Sequence, residues 1–162
     1  MNELKQLIAN GEYAPTELAK RFNMSELDIL RELDATQVAF TSGNNAQLIL
    51  NALPDWGSVT TIISVAESIF EIKGPFPKGI VGHGYFNLQN EQGLQGHLKL
   101  ANVENIAFVS RPRRNKPARY IGFYADDGHC IWKIYLGRNS DGELFESQLL
   151  AFDQLKEDLT HG

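Results

Sequence analysis

The chain has 162 residues, of which 43% are hydrophobic and 22% charged. These are ordinary globular proportions, which exclude disordered, collagen-like and coiled-coil classes and supply a core without disulfides. Fifteen Lys and Arg against twenty Asp and Glu give a net charge of −5, so long-range repulsion from phosphate backbones and anionic lipid argues against a nucleic-acid partner. The single Cys130 has no internal partner, no export signal opens the sequence, and no apolar run approaches the ~18 residues of a membrane span. A cytoplasmic protein without membrane insertion is expected.

Residues 1–40 read as a helical N-terminal appendage. Leu4, Leu7 and Ile8, then Leu18 and Phe22, then Leu27, Leu30 and Leu33 recur at helical spacing and predict three short helices. Thr16 is placed to cap the second, and Ser25 with Asp28 to cap the third. The second and third helices, with Phe22-Asn23-Met24 between them, have the outline of a helix-turn-helix. Their charge opposes DNA: residues 1–40 hold four cations against seven carboxylates, and the would-be recognition helix 26–33 carries three acids and one Arg.

Between residues 56 and 136 the pattern changes to β-branched and aromatic runs, predicting strands over 58–64, 68–72, 80–88, 94–100, 106–110, 120–125 and 130–136. Short polar turns between neighbours predict an antiparallel meander. Beyond Gly137, Phe145, Leu149, Phe152, Leu155 and Leu159 restore the helical period, and Ser140 with Glu143 in capping-box spacing predicts one long helix over 140–160. The order helices, strands, helix is α+β: a broad antiparallel β-sheet with short N-terminal helices and a long C-terminal helix packed against it, in a single domain spanning 1–162.

Several chemistries lack their motif. Gly82-His83-Gly84 holds only two glycines of a dinucleotide fingerprint and lies within a predicted strand, and Gly74 and Gly79 have P-loop spacing with Ile80 where the phosphate-binding Lys belongs. One Cys without a paired-cysteine or His-Glu-x-x-His motif gives no zinc site of known spacing, and no Gly-x-Ser-x-Gly elbow presents a nucleophile.

The informative stretch runs from Gly82 to Leu100. Alternation puts Phe86, Leu88, Leu94, Leu98 and Leu100 on one strand face, and His83, Tyr85, His97 and Lys99 on the other. A turn centred near Glu91 sets Tyr85 opposite His97, with His83 one diagonal step away. Glycines at 82, 84 and 96 leave bare backbone, which often marks close approach by a ligand or another backbone. A solvated polar face is the plainer reading of the same pattern. The second feature is Arg111-Pro112-Arg113-Arg114-Asn115-Lys116-Pro117-Ala118-Arg119, five cations in nine residues. Its two prolines predict a loop outside the sheet, either simply solvated or anchoring carboxylates or phosphates.

These residues carry a resemblance. His83-Gly-Tyr-Phe-Asn-Leu88, Gly96-His-Leu-Lys99, Ile106-Ala-Phe-Val-Ser-Arg-Pro112, Lys133-Ile-Tyr-Leu-Gly-Arg138 and Trp56-Gly-Ser-Val-Thr-Thr61 together resemble the HutX/ChuX family of cytosolic haem-utilisation carrier proteins, over essentially the whole chain. The resemblance implies a fold similar to one half of the larger bacterial haem-handling proteins, pairing into homodimers, reversible haem binding, and delivery to a haem-degrading enzyme in iron acquisition. It also implies that His97 and His83 correspond to family histidines and are the alternative haem-iron ligands. Some members carry a further haem-associated His where this sequence has Ser64.

Axial ligands reach iron from opposite faces of a porphyrin, whereas His83 and His97 leave one face of a hairpin. One protein imidazole is therefore expected, with the sixth position open, filled by water or supplied by another chain or strand. Haem carries two carboxylates, for which Arg113, Arg114 and their neighbours, with Lys99, are the concentrated cations. A haem-degrading enzyme and a helix-turn-helix regulator are the competing functions.

Overall fold

The computed structural model describes residues 2–113 and 116–160. Three short helices open it: α1 (Asn2–Asn10), α2 (Pro15–Phe22) and α3 (Glu26–Arg31). Ser25 caps α3 as expected, its Oγ accepting from Asp28 N–H at 3.0 Å. Thr16 does not cap α2. Pro15 occupies the first helical position, where its missing N–H costs nothing, so the cap moves back to Ala14, whose N–H donates to the Glu17 carboxylate at 3.3 Å.

The strands are β1 (Val38–Ser42), β2 (Ser58–Val65), β3 (Ser68–Pro75), β4 (Gly79–Gly82), β5 (Tyr85–Leu88), β6 (His97–Leu98), β7 (Asn105–Arg113), β8 (Lys116–Tyr124) and β9 (Cys130–Tyr135). Helix α4 (Ala46–Ala52) follows β1, and α5 (Glu146–Thr160) closes the described chain. All pairings are antiparallel, but the strands form two sheets rather than one meander: a six-stranded sheet in the order β1-β7-β8-β9-β2-β3, and a three-stranded sheet β4-β5-β6.

One face of the large sheet presents Val59, Ile106, Phe108, Ile121, Phe123, Trp132 and Ile134 to the main core, which α4, α5 and the inner residues Phe86 and Leu88 of the small sheet complete. The opposite face presents Ala107, Val109, Tyr120 and Tyr124 to Leu27, Leu30 and Leu33. Period-two alternation along each strand sorts residues between these layers.

Element boundaries are also corrected. The strand expected over 80–88 is a hairpin: His83 and Gly84 take φ of 55° and 86° between the paired Gly82 and Tyr85. Positive φ at both central residues is the I′ pattern, open to Gly and tolerated by His. The strand expected over 94–100 shrinks to His97–Leu98, because a 3₁₀ turn begins at Leu100. The last helix begins at Glu146 rather than 140, since Asn139 Oδ1 accepts from the N–H groups of Asp141 and Glu143 and makes a turn there.

The basic segment is also no excluded loop, because Arg111, Pro112 and Arg113 pair with Ala118, Pro117 and Lys116. Ser110 N–H donates toward β1, to Gln37 O at 2.8 Å. Alternation along the strand turns the Pro112 nitrogen to the same side, beyond the start of β1. Leu136 N–H donates to Arg119 O at 3.0 Å, so the Pro117 nitrogen likewise faces past the end of β9. Neither ring removes a ladder bond.

The helix-turn-helix outline is present, with Asn23 left-handed at φ 52°, but α3 spends its surface inward. Leu27, Ile29 and Leu30 are buried, and Glu26 Oε1 lies 3.0 Å from Lys133 Nζ on β9 while Oε2 accepts from the Tyr124 hydroxyl. Burial alone lowers the Lys133 pKa, but the facing Glu26 carboxylate raises it overall. The side of α3 left to solvent carries Asp28 and Arg31, paired with each other at 3.1 Å, followed by Glu32, which is no basic surface for phosphates.

Removing one member of a buried pair strands the other charge. Glu26→Ala is expected to cost about 3–5 kcal/mol, and adding Lys133→Met to recover most of it, in urea unfolding followed by circular dichroism. Burial, aided by the Glu26 charge, pushes the Cys130 thiol up to about 12. The native protein should therefore react with iodoacetamide at neutral pH far more slowly than the urea-unfolded chain, read by mass spectrometry.

Candidate functional site

The small sheet has one buried and one open face. Phe86 is fully buried, its ring lying over Gly79, where an added Cβ would sit 2.2 Å from the ring. With Phe86 and Leu88 turned inward, their neighbours Tyr85 and Asn87 turn outward. The register Asn87↔His97 and Ile80↔Asn87 brings Ile80, Asn87 and His97 onto that outer face, and Gly82↔Tyr85 adds Tyr85.

His97 and Tyr85 share a face as the alternation predicts, but the pairing differs by one step. Asn87, not Tyr85, stands opposite His97, and Tyr85 occupies the diagonal, its ring edge-on to the imidazole at 6.1 Å between centroids and 70°. His97 Nδ1 lies 2.6 Å from Asn87 Oδ1. Sequence reading passed over Asn87. Its signal was its position two residues beyond Tyr85, on the same strand face.

His83 does not stand on that strand face. It occupies the β4–β5 turn, exposed, because the two-residue loop needs left-handed conformers. Lys99 is exposed just before the 3₁₀ turn. Ser64 lies on β2, exposed, opposite Ile69 of β3.

The basic hairpin divides its charges. Arg111 is only 6% exposed and points inward, donating to Ile8 O and Tyr13 O at 3.3 Å each. Arg119 bonds Asp153 at 2.6 Å and lies over the Phe152 ring at 5.7 Å. Arg111 is thereby withdrawn from solvent, while Arg119 is already paired but lines an open cavity. Arg113 ends β7, and Arg114 lies outside the described residues.

A cavity of about 660 Å³ opens elsewhere, lined by Ser58, Thr60, Lys73, Tyr135 and Arg138 among others. It has porphyrin-sized volume but no imidazole. The outer face of the small sheet has the complementary character: Ile80 is 63% exposed, Tyr85 38%, Gly82 and Gly84 carry no side chain, and the His97 imidazole stands among them. A flat apolar surface with one nitrogen donor suits a planar metallated macrocycle, and the residues fit haem. Because only one side is walled, the second face of such a ligand must be covered from elsewhere. Among the described residues, no group of three or more His, Cys, Asp or Glu is arranged to hold a bare metal ion.

The family model for haem utilisation ChuX/HutX matches residues 39–155. An intracellular haem transport protein, HutX of Vibrio cholerae serotype O1, is 44% identical over 144 residues, covering 88% of this chain and 75% of that protein. A crystal structure of ChuX superposes with a TM-score of 0.91 at 29% identity, covering 98% of this chain and 99% of that one. The haem-binding protein PhuS of Pseudomonas aeruginosa shares the fold at TM-score 0.79 and 16% identity, with 98% of this chain lying over 45% of PhuS. The fold expectation, one half of a larger protein, agrees with that coverage.

Proposed function

The chain belongs to the ChuX/HutX haem-utilisation family, and from that premise we propose that it is an intracellular haem carrier that takes up haem and passes it to a haem-degrading enzyme. The observation that carries the reading is the outer face of the small sheet, where Asn87 holds the His97 imidazole beside Tyr85 on a glycine-bare, apolar surface. Haem lies against this face with its iron bound by His97. His83, held in the turn, is the weaker of the two histidine candidates. Lys99, with Arg113 and Arg114, supplies charge for the propionates. HutX of Vibrio cholerae is named as a transport protein, which favours carriage over degradation.

A homodimer is the second part of this reading. Strand β3 ends the large sheet, and its hairpin with β2 exposes Val65, Ile69 and Phe70, each more than half open. Apolar side chains clustered on an edge hairpin mark a contact surface.

Titration of the apo-protein should give about one haem per chain with a Soret band that survives ascorbate. Loss of the band with a biliverdin-like product would instead make the protein a degrading enzyme. His97→Ala is expected to change the Soret spectrum, while His129→Ala and Tyr85→Phe leave it close to wild type. A change confined to Tyr85→Phe would transfer iron ligation to the phenol. Sedimentation should give about twice the 18.1 kDa chain mass, and Phe70→Asp should shift the protein toward monomer.

A further inference from the structure

We propose that Asn87 is a positioning residue that selects the tautomer of His97, placing the imidazole proton on Nδ1 and presenting the Nε2 lone pair to the open face. Its application to iron rests on the haem-carrier reading above. One end of the Asn87 amide lies 3.0 Å from Ile80 O, 3.1 Å from Gly82 O and 3.4 Å from Tyr85 O. Backbone carbonyls only accept, so the end they surround is the NH₂. The other end is therefore the carbonyl Oδ1, and it lies 2.6 Å from His97 Nδ1. An acceptor at that distance requires a proton on Nδ1, and a neutral imidazole has only one. Nε2 is left as the lone-pair nitrogen.

The selection is not trivial, because free histidine favours the Nε2–H form. Here the β4 carbonyls orient the amide and the amide orients the proton. Tyr85 meets the ring edge-on from the same face and limits its rotation. A metal-binding histidine usually donates its second N–H to such a partner, which fixes the ring and makes the coordinating nitrogen more basic. The residues that set this state lie on three neighbouring strands, so the arrangement exists before any ligand arrives.

The test begins on the haem-free full chain, with long-range ¹H–¹⁵N correlation spectra of the imidazoles. Wild type is expected to show His97 protonated at Nδ1. Asn87→Leu removes the acceptor and should return His97 to the Nε2–H form, whereas Asn87→Asp keeps an acceptor and should retain Nδ1–H. Both variants lose the NH₂ bonds to the β4 carbonyls, so any shared loosening of the hairpin is separated from the tautomer effect.

In the ferrous haem complex the iron–histidine stretching band should move down in Asn87→Leu and up in Asn87→Asp. Haem affinity in Asn87→Leu should fall about 10- to 100-fold. An Nε2–H tautomer in wild type, or identical tautomers in the two variants, overturns the proposal. Tautomers as stated but no iron–histidine band in any form would support Asn87's role and overturn His97 as the iron ligand.

Discussion

Strand β5 has two faces, and the core takes only one. Burying Phe86 and Leu88 removes two large apolar side chains from water, each burial stabilising by about 1.5–3 kcal/mol, and the pleat then forces Tyr85 and Asn87 outward. Everything on the open face follows from that choice. A register slip of one residue would bury an amide and a phenol and expose two core side chains, so the geometry around His97 is protected by the hydrophobic energy of the opposite face. Gly79 belongs to the same constraint, because the Phe86 ring occupies the space any side chain there would need.

Alternation made much of this legible. It sorted Phe86 and Leu88 from Tyr85 and His97, and it found the hairpin pairings of β2 with β3 and β7 through β9. It did not separate β4 from β5, because His83 is an ordinary strand residue by pattern and only its left-handed backbone makes the turn. It extended the N-terminal helical zone to Phe40 although β1 begins at Val38, since five residues joining an edge give little period to read. Helix α4 escaped notice for a similar reason: its seven residues complete two turns, and its apolar positions become meaningful only against the core they fill. Asn87 was invisible as a functional residue because its role depends on carbonyls seven and five residues earlier in the chain, which the hairpin brings under its amide.

Composition was the less reliable guide at the basic segment. Five cations close in sequence suggest one anion site, but the two whose side chains are described, Arg111 and Arg119, lie in different layers. Arg111 turns inward and satisfies carbonyls at the end of α1 and in the loop after it, while Arg119 turns to α5 and Asp153. Charge density along a chain is therefore not charge density in space. The same pleat that concentrates Tyr85, Asn87 and His97 on one surface parts Arg111 from Arg119.

That dispersal bears on how a carrier would hold and release haem. Exposed ion pairs to propionates contribute only about 0–1 kcal/mol each, so charges at the rim steer and orient the ligand more than they retain it. On the proposed reading, retention would fall instead to the apolar cover offered by Ile80 and Tyr85 and to the bond between iron and an imidazole nitrogen. The second of these is directional and depends on the ring keeping its orientation and its proton on the far nitrogen. With His97 as the ligand, its hydrogen bond to Asn87 would be the place where affinity is set. Strengthening the acceptor there would tighten the hold on iron without adding a contact to the porphyrin, and weakening it would loosen the hold without opening the fold.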